Sequence, residues 1–207
     1  FIAEISEVFV DDYLHMGGDE VATTCWATSS IRHWMTAHNM TSYSQLEQYF
    51  LTKVQAFASS NNKLVVNWEE VFTSNFTTLP QTIIEVWKDF ATLDTVAKSG
   101  TRALLAYGWY LDHLNLNWVD FYHNEPFDGT LTPSQESFIL GGEACMWGET
   151  VDSANIHGRV WPRAAAAAER LWSPKDVTDV SLAFPRFQNL RCRLISRGIP
   201  ASPFHPG

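Results

Sequence analysis

The residues whose types and spacing most directly suggest chemistry are two carboxyls behind a glycine pair, Gly17-Gly18-Asp19-Glu20. Glycine admits torsions closed to other residues and lets a backbone or ligand come close, so a Gly-Gly turn bearing two acids is a place where a substrate could sit. The same tetrapeptide also reads as an ordinary turn whose Asp19 or Glu20 caps the next helix. If the pair is catalytic, adjacency restricts the mechanism. A retaining glycosidase with a protein nucleophile needs carboxyls about 5 Å apart on opposite sides of the anomeric carbon, which neighbours on one loop can hardly achieve. Adjacent acids approach from one side. One protonates a leaving oxygen, while the other orients a nucleophile carried by the substrate, such as the carbonyl oxygen of a 2-acetamido group. A proton donor of this kind needs shelter from bulk water, so burial of Glu20 is expected.

Nine tryptophans in 207 residues are several times an ordinary share. A pyranose has apolar C–H faces ringed by hydroxyls, which suits stacking on indole with carboxylates at the rim; bulky core filling is the competing reading. The net charge of -9 and the lack of a basic stripe argue against a nucleic-acid partner, since binding phosphate backbones needs clustered Lys and Arg. There is no apolar run of membrane-spanning length. Cys25, Cys145 and Cys192 lack the spacing of a zinc or redox site, and no metal or cofactor is expected. The sequons Asn39-Met-Thr41 and Asn75-Phe-Thr77 fit a lysosomal or secreted route.

Short β-type runs alternating with longer helical patterns predict an α/β domain with a parallel sheet. Five strands are predicted, at Val10 to Met16, Lys63 to Trp68, Thr82 to Trp87, Arg102 to Tyr107 and Phe138 to Trp147. Between the first two, Ser44 and Glu47 suggest a capping box for a helix whose apolar face holds Leu46, Tyr49, Phe50, Val54, Phe57 and Ala58, ended by Asn61 and Asn62. Ala91 to Lys98 predicts a helix closed by Gly100. Pro162 suits the first turn of an alanine-rich helix running to Trp172, where Ala164 to Ala168 would allow close helix packing. A last helix from about Ser181 carries Phe184, Phe187, Leu190, Leu194 and Ile195 on one face, tolerates Pro185 only near its first turn and ends at Gly198. No dinucleotide or P-loop fingerprint follows any strand. The chemistry-bearing residues fall at the strands' C-terminal ends, as in a (β/α)8 TIM barrel. Since such barrels typically run to about 250 residues, the five strands read as the last five of eight.

A set of motifs carries a resemblance across essentially the whole chain. In order they are His15-Met-Gly-Gly-Asp-Glu20, Asn67-Trp-Glu-Glu70, Glu85-Val-Trp-Lys88, Trp109-Tyr-Leu-Asp112, Gly141-Gly-Glu-Ala-Cys-Met-Trp-Gly-Glu149, and Trp161-Pro-Arg-Ala164 through Glu169-Arg-Leu-Trp172. The chain resembles the lysosomal-type β-N-acetylhexosaminidases of glycoside hydrolase family twenty. The resemblance implies one partial catalytic domain over residues 1–207, comprising barrel strands four to eight and a C-terminal helix. It implies Glu20 as general acid/base, Asp19 as the carboxylate that orients the acetamido nitrogen, and Tyr110 as donor to the acetamido carbonyl. Trp68, Trp87 and Trp147 would wall and floor the sugar pocket, with Asp112 and Glu149 accepting from outer hydroxyls. Asp112-His113 stands where the subunit type that takes sulfated sugars has Asn then Arg, so neutral terminal N-acetylglucosamine and N-acetylgalactosamine are expected as substrates. Cys25 and Cys192 resemble cysteines whose disulfide partners lie outside this segment, and Cys145 resembles a buried free thiol. His15 is expected to pack or hydrogen-bond near Asp19. The family also implies a dimer and a sugar-gripping Arg on earlier strands, so residues 1–207 alone are expected to be unstable and inactive.

Two other readings compete. A non-catalytic carbohydrate-binding protein would keep the aromatic pocket but need no acid. A glycosidase of another barrel family would use a protein nucleophile such as Glu143.

Overall fold

The computed structural model describes residues 1–127 and 129–204. These form two compact units, one of residues 1–85 with 99–103, the other of residues 86–98 with the described residues from 104 to 204. The five strands occur in the sheet in chain order. They are β1 (Tyr13–His15), β2 (Leu64–Trp68), β3 (Ile83–Val86), β4 (Arg102–Leu105) and β5 (Ile139–Gly142). Parallel strands in sequence order, joined by helices, are the arrangement of a (β/α)8 barrel, here with five strands. Each observed strand lies inside its predicted run and is shorter.

In the first unit, α1 (Ile2–Val8) precedes β1, and α2 (Ser29–Ala37) and α3 (Tyr43–Ser60) follow it. β1 pairs with β2 from Tyr13↔Leu64 to His15↔Val66, and β2 pairs with β3 from Val66↔Ile83 to Trp68↔Glu85. Val65, Val66, Asn67 and Trp68 are all buried, as befits a strand covered on both faces. The capping box of α3 is Ser42 with Gln45, not Ser44 with Glu47: Ser42 keeps extended torsions, and its Oγ accepts from the Gln45 N–H at 3.3 Å. The buried stripe of α3 is Leu51, Gln55 and Ala58, while Tyr49, Phe50 and Phe57 point outward. The Oε1 of the buried Gln55 accepts from Leu79 N–H at 3.1 Å. The short α4 (Glu70–Thr73) follows β2 and buries Val71.

In the second unit, α5 (Phe90–Lys98) buries Leu93, Val96 and Ala97. α6 (Trp118–His123) is begun by Asn117, and the short α7 (Pro133–Glu136) by Thr132. After β5 come α8 (Ile156–Val160), α9 (Arg163–Trp172) and α10 (Val180–Ser196). Ala165, Ala166 and Ala167 are buried on α9, which packs on α6 as small side chains permit. Trp118, Tyr122, Phe184, Phe187 and Phe204 form the aromatic cluster that seats α10, with Trp118 and Phe187 centroids 5.0 Å apart. Asp179 caps α10, Pro185 lies inside it beyond the first turn, and Ile195 is exposed instead of sharing the buried face. Of the tryptophans, Trp109 and Trp118 are core, whereas Trp147 is exposed. No helix among the described residues is long and apolar enough to cross a membrane.

Candidate active site

In the first unit the acid-bearing turn leaves the C-terminal end of β1. Met16 N–H still bonds Val66 O at 2.8 Å, after which Gly17 and Gly18 take φ of 69° and 103°. Gly17 O accepts from both Trp68 N–H at 3.1 Å and Asn67 Nδ2 at 2.9 Å, so β2 grips the turn. A Cβ on Gly18 would lie 2.5 Å from Val71 Cγ2, so glycine is required by space as well as by torsion. Asn67 and Glu69 are buried, and Trp68 is buried with its indole 4.7 Å from the His15 ring. His15 Nδ1 accepts the Gly17 N–H at 3.1 Å, and its Nε2 lies 3.2 Å from Oε2 of the buried Glu85. The expected hydrogen bond of His15 thus goes to the turn itself.

Asp19 is half-buried, and Glu20 is exposed with φ 45°. The expected burial of Glu20 is not found. Residues 19–22 run as irregular chain with Val21 also exposed, so no helix or strand of this segment lies over the carboxyl.

In the second unit, parallel bonding continues past β4 and β5 through the Tyr110↔Cys145 bridge, where Leu111 N–H bonds Cys145 O at 2.8 Å. Tyr110 is buried and its ring stacks on Trp87, with centroids 6.0 Å apart and planes 27° off parallel. Lys88 Nζ lies 5.0 Å from the Trp87 ring centroid. A Cβ on Gly142 would fall 2.4 Å from Trp109 Cζ3, so this glycine lets the buried Trp109 pass; Trp109 Nε1 donates to Phe121 O at 2.9 Å. Asp112 follows on the same loop as Tyr110. It is half-buried, and its Oδ1 is buried without a hydrogen bond among the described residues. Such an acceptor suits a hydroxyl donor. Trp147 and Glu149 lie beyond the bridge, both exposed, with Glu149 in a short 3-10 turn. Glu143 is exposed and 3.5 Å from the Sγ of the buried Cys145, while Cys25 and Cys192 are exposed and free.

One organising residue had no role assigned from sequence. Arg163, buried at the start of α9, donates from Nη1 to His113 O at 2.8 Å and Leu116 O at 3.3 Å, and from Nη2 to Leu111 O and Arg159 O. It therefore ties down the loop that carries Asp112. Burial, and then the neighbouring Arg159, pull the basicity of this guanidinium below its ordinary level, while Asp112 pulls it back. The Trp161-Pro-Arg motif was visible in the sequence, but three of the four carbonyls it serves lie about fifty positions earlier.

Three comparisons bear on what this arrangement does. The family model of the glycosyl hydrolase family 20 catalytic domain matches residues 1–175. Rat β-hexosaminidase subunit alpha is 42% identical over 216 residues, covering 100% of this chain and 41% of that protein. Human β-hexosaminidase subunit beta is 42% identical over 214 residues, covering 100% and 38% respectively. The chain thus spans about two-fifths of the length of these curated relatives. Among solved structures, the chitobiase of Flavobacterium johnsoniae superposes with a TM-score of 0.82 at 31% identity, covering 96% of this chain and 32% of that one.

Proposed function

This chain belongs to glycosyl hydrolase family 20 through its catalytic domain, and from that premise we propose that the protein is a β-N-acetylhexosaminidase working by substrate assistance. The observation that carries the reading is the placement of Asp19 and Glu20 as consecutive residues on one glycine turn at the end of a parallel strand. The 2-acetamido carbonyl oxygen attacks C1 as the bond from C1 to the leaving oxygen breaks, and the Glu20 carboxyl gives that oxygen its proton. Asp19 accepts the acetamido N–H and offsets the charge of the cyclic oxazolinium. In the second step the Glu20 carboxylate takes a proton from water, the water oxygen bonds C1, and the ring opens to restore the acetamide with β configuration retained.

Tyr110, stacked on Trp87, donates to the acetamido carbonyl and aims it; Trp68 and Trp147 contribute apolar faces to the sugar. Asp112, with its unbonded buried oxygen, and Glu149 accept from outer hydroxyls. The exposed Glu20 requires that the bound glycoside itself supply part of the shelter from water. Terminal non-reducing N-acetylglucosamine and N-acetylgalactosamine of oligosaccharides or glycoconjugates are the substrates. The exposure of Asn39 and Asn75, each in a left-handed turn, is compatible with glycosylation on a lysosomal or secretory route. A dimer is the assembly expected from the family.

The test is kinetics of the full-length protein with Asp19→Asn and Glu20→Gln, on aryl glycosides with and without the 2-acetamido group. The reading expects turnover only with the acetamide and a fall in kcat of about 10²-fold or more for either substitution. Sugar binding unaffected by Glu20→Gln, with no turnover by the unsubstituted protein, would favour a carbohydrate-binding role.

A further inference from the structure

We propose that His15 is a positioning residue for the acid-bearing turn, held as the neutral imidazole protonated on Nε2; the kinetic part of this inference rests on the hydrolase reading above. Gly17 N–H donates to His15 Nδ1 at 3.1 Å, so that nitrogen offers a lone pair and carries no proton. The remaining ring proton is on Nε2, 3.2 Å from Oε2 of Glu85, whose side chain is 1% exposed. The tilted contact with Trp68, centroids 4.7 Å apart, fixes the third side of the ring.

Gly17 is thereby held at both ends of its own residue. Its N–H is taken by the imidazole, and its carbonyl by Asn67 and Trp68 of β2. Glu85 of β3 sets the rotation of the imidazole, the imidazole sets the Gly17 amide, and two residues later the chain presents Asp19 and Glu20. A second proton on the ring would set Nδ1–H against the Gly17 N–H and remove this hold. The Nε2–H tautomer follows from the second-partner logic that governs histidines generally: whichever nitrogen accepts determines which one donates. His15 touches neither acid in this account and acts only through the backbone of the turn.

Two substitutions separate the two bonds. In His15→Asn the amide oxygen lies near the place of Nδ1 and accepts from Gly17, but the side chain is too short for Glu85. In His15→Gln the longer side chain reaches Glu85 and leaves no acceptor at the δ position. In the full-length protein, His15→Gln is expected to lower kcat about tenfold or more with KM little changed, because a displaced proton donor costs turnover more than binding. His15→Asn should recover most of that loss. Equal loss in both variants, or none in either, overturns the proposal. A second readout needs no turnover: the nitrogen spectrum of histidine-labelled, unsubstituted protein should show an unprotonated Nδ1 and a protonated Nε2 at His15. A proton on Nδ1 overturns the assignment whatever the kinetics. No turnover by the unsubstituted protein, by contrast, would defeat the hydrolase reading and leave the spectrum to decide this one.

Discussion

Asp112 and Arg163 are the residues at which substrate choice can be tested most sharply. A half-buried carboxylate with one unbonded oxygen accepts hydroxyls and repels a sulfate. Asp112→Asn should therefore raise the turnover of a 6-sulfated substrate relative to the neutral one, measured as the ratio of kcat/KM values; an unchanged or lower ratio counts against this role. Arg163 is read differently, since its four carbonyl partners are backbone groups and three belong to the Asp112 loop. Arg163→Met removes all four bonds and strips the buried Leu111 carbonyl of its guanidinium donor, at a cost of about 1–3 kcal/mol for that acceptor, and should both lower the melting temperature and raise KM. Melting with KM unchanged would mean that the loop keeps its shape without the arginine. The two residues also differ in how readable they were. Asp112 stands inside a motif that carries the family resemblance, and that resemblance is what marked it as a proposed acceptor. Arg163 works on carbonyls far off in sequence, and nothing in local spacing encodes that. The exposure of Glu20 was likewise illegible, because burial depends on what other segments cover a turn.

At the scale of elements, the N-terminus of α10 provides a pH-dependent test. Ser181 Oγ and then the Leu182 and Ser181 amides donate to Asp179, and hold its carboxyl below the usual carboxylate range. A depressed folded-state value means that the stabilisation is present above the unfolded-state value and is lost as pH falls through the folded-state value. The melting temperature of the full-length protein should thus drop less on acidification in Asp179→Asn than in the unsubstituted protein; identical pH profiles would remove Asp179 from this role. The same helix shows what sequence patterns reveal and what they miss. Its existence and end at Gly198 followed from apolar spacing and a terminal glycine, and the five strands were equally plain from short runs of β-branched or aromatic residues, each followed by a polar or glycine-containing loop. The cap of α3 fell two residues from its predicted place because two serines compete there, and only Ser42 takes extended torsions. Its buried stripe includes Gln55, whose bond to Leu79 a hydropathy pattern cannot anticipate.

For the molecule as a whole, exposed apolar residues bear on whether these 207 residues suffice. Val8, Phe9 and Val10 form a consecutive exposed run in the first unit, at 72%, 55% and 84% exposure. Such patches are unfavourable in water unless covered. We therefore expect the isolated 207-residue polypeptide to bind a hydrophobic dye, melt without a sharp transition and release no product from an aryl N-acetylglucosaminide. A cooperative melt together with turnover matching the full-length protein would show that the five-strand segment is sufficient. The claim on which the rest depends is that the substrate's own acetamide is the nucleophile aligned by Asp19 while Glu20 moves the proton. It is tested most directly by kcat/KM of the full-length protein on aryl N-acyl-β-glucosaminides whose acyl group carries none, one, two or three fluorines. Substrate assistance predicts a steep fall with each fluorine, as the carbonyl oxygen becomes a poorer nucleophile; a flat series would contradict it and point to a nucleophile supplied by the protein.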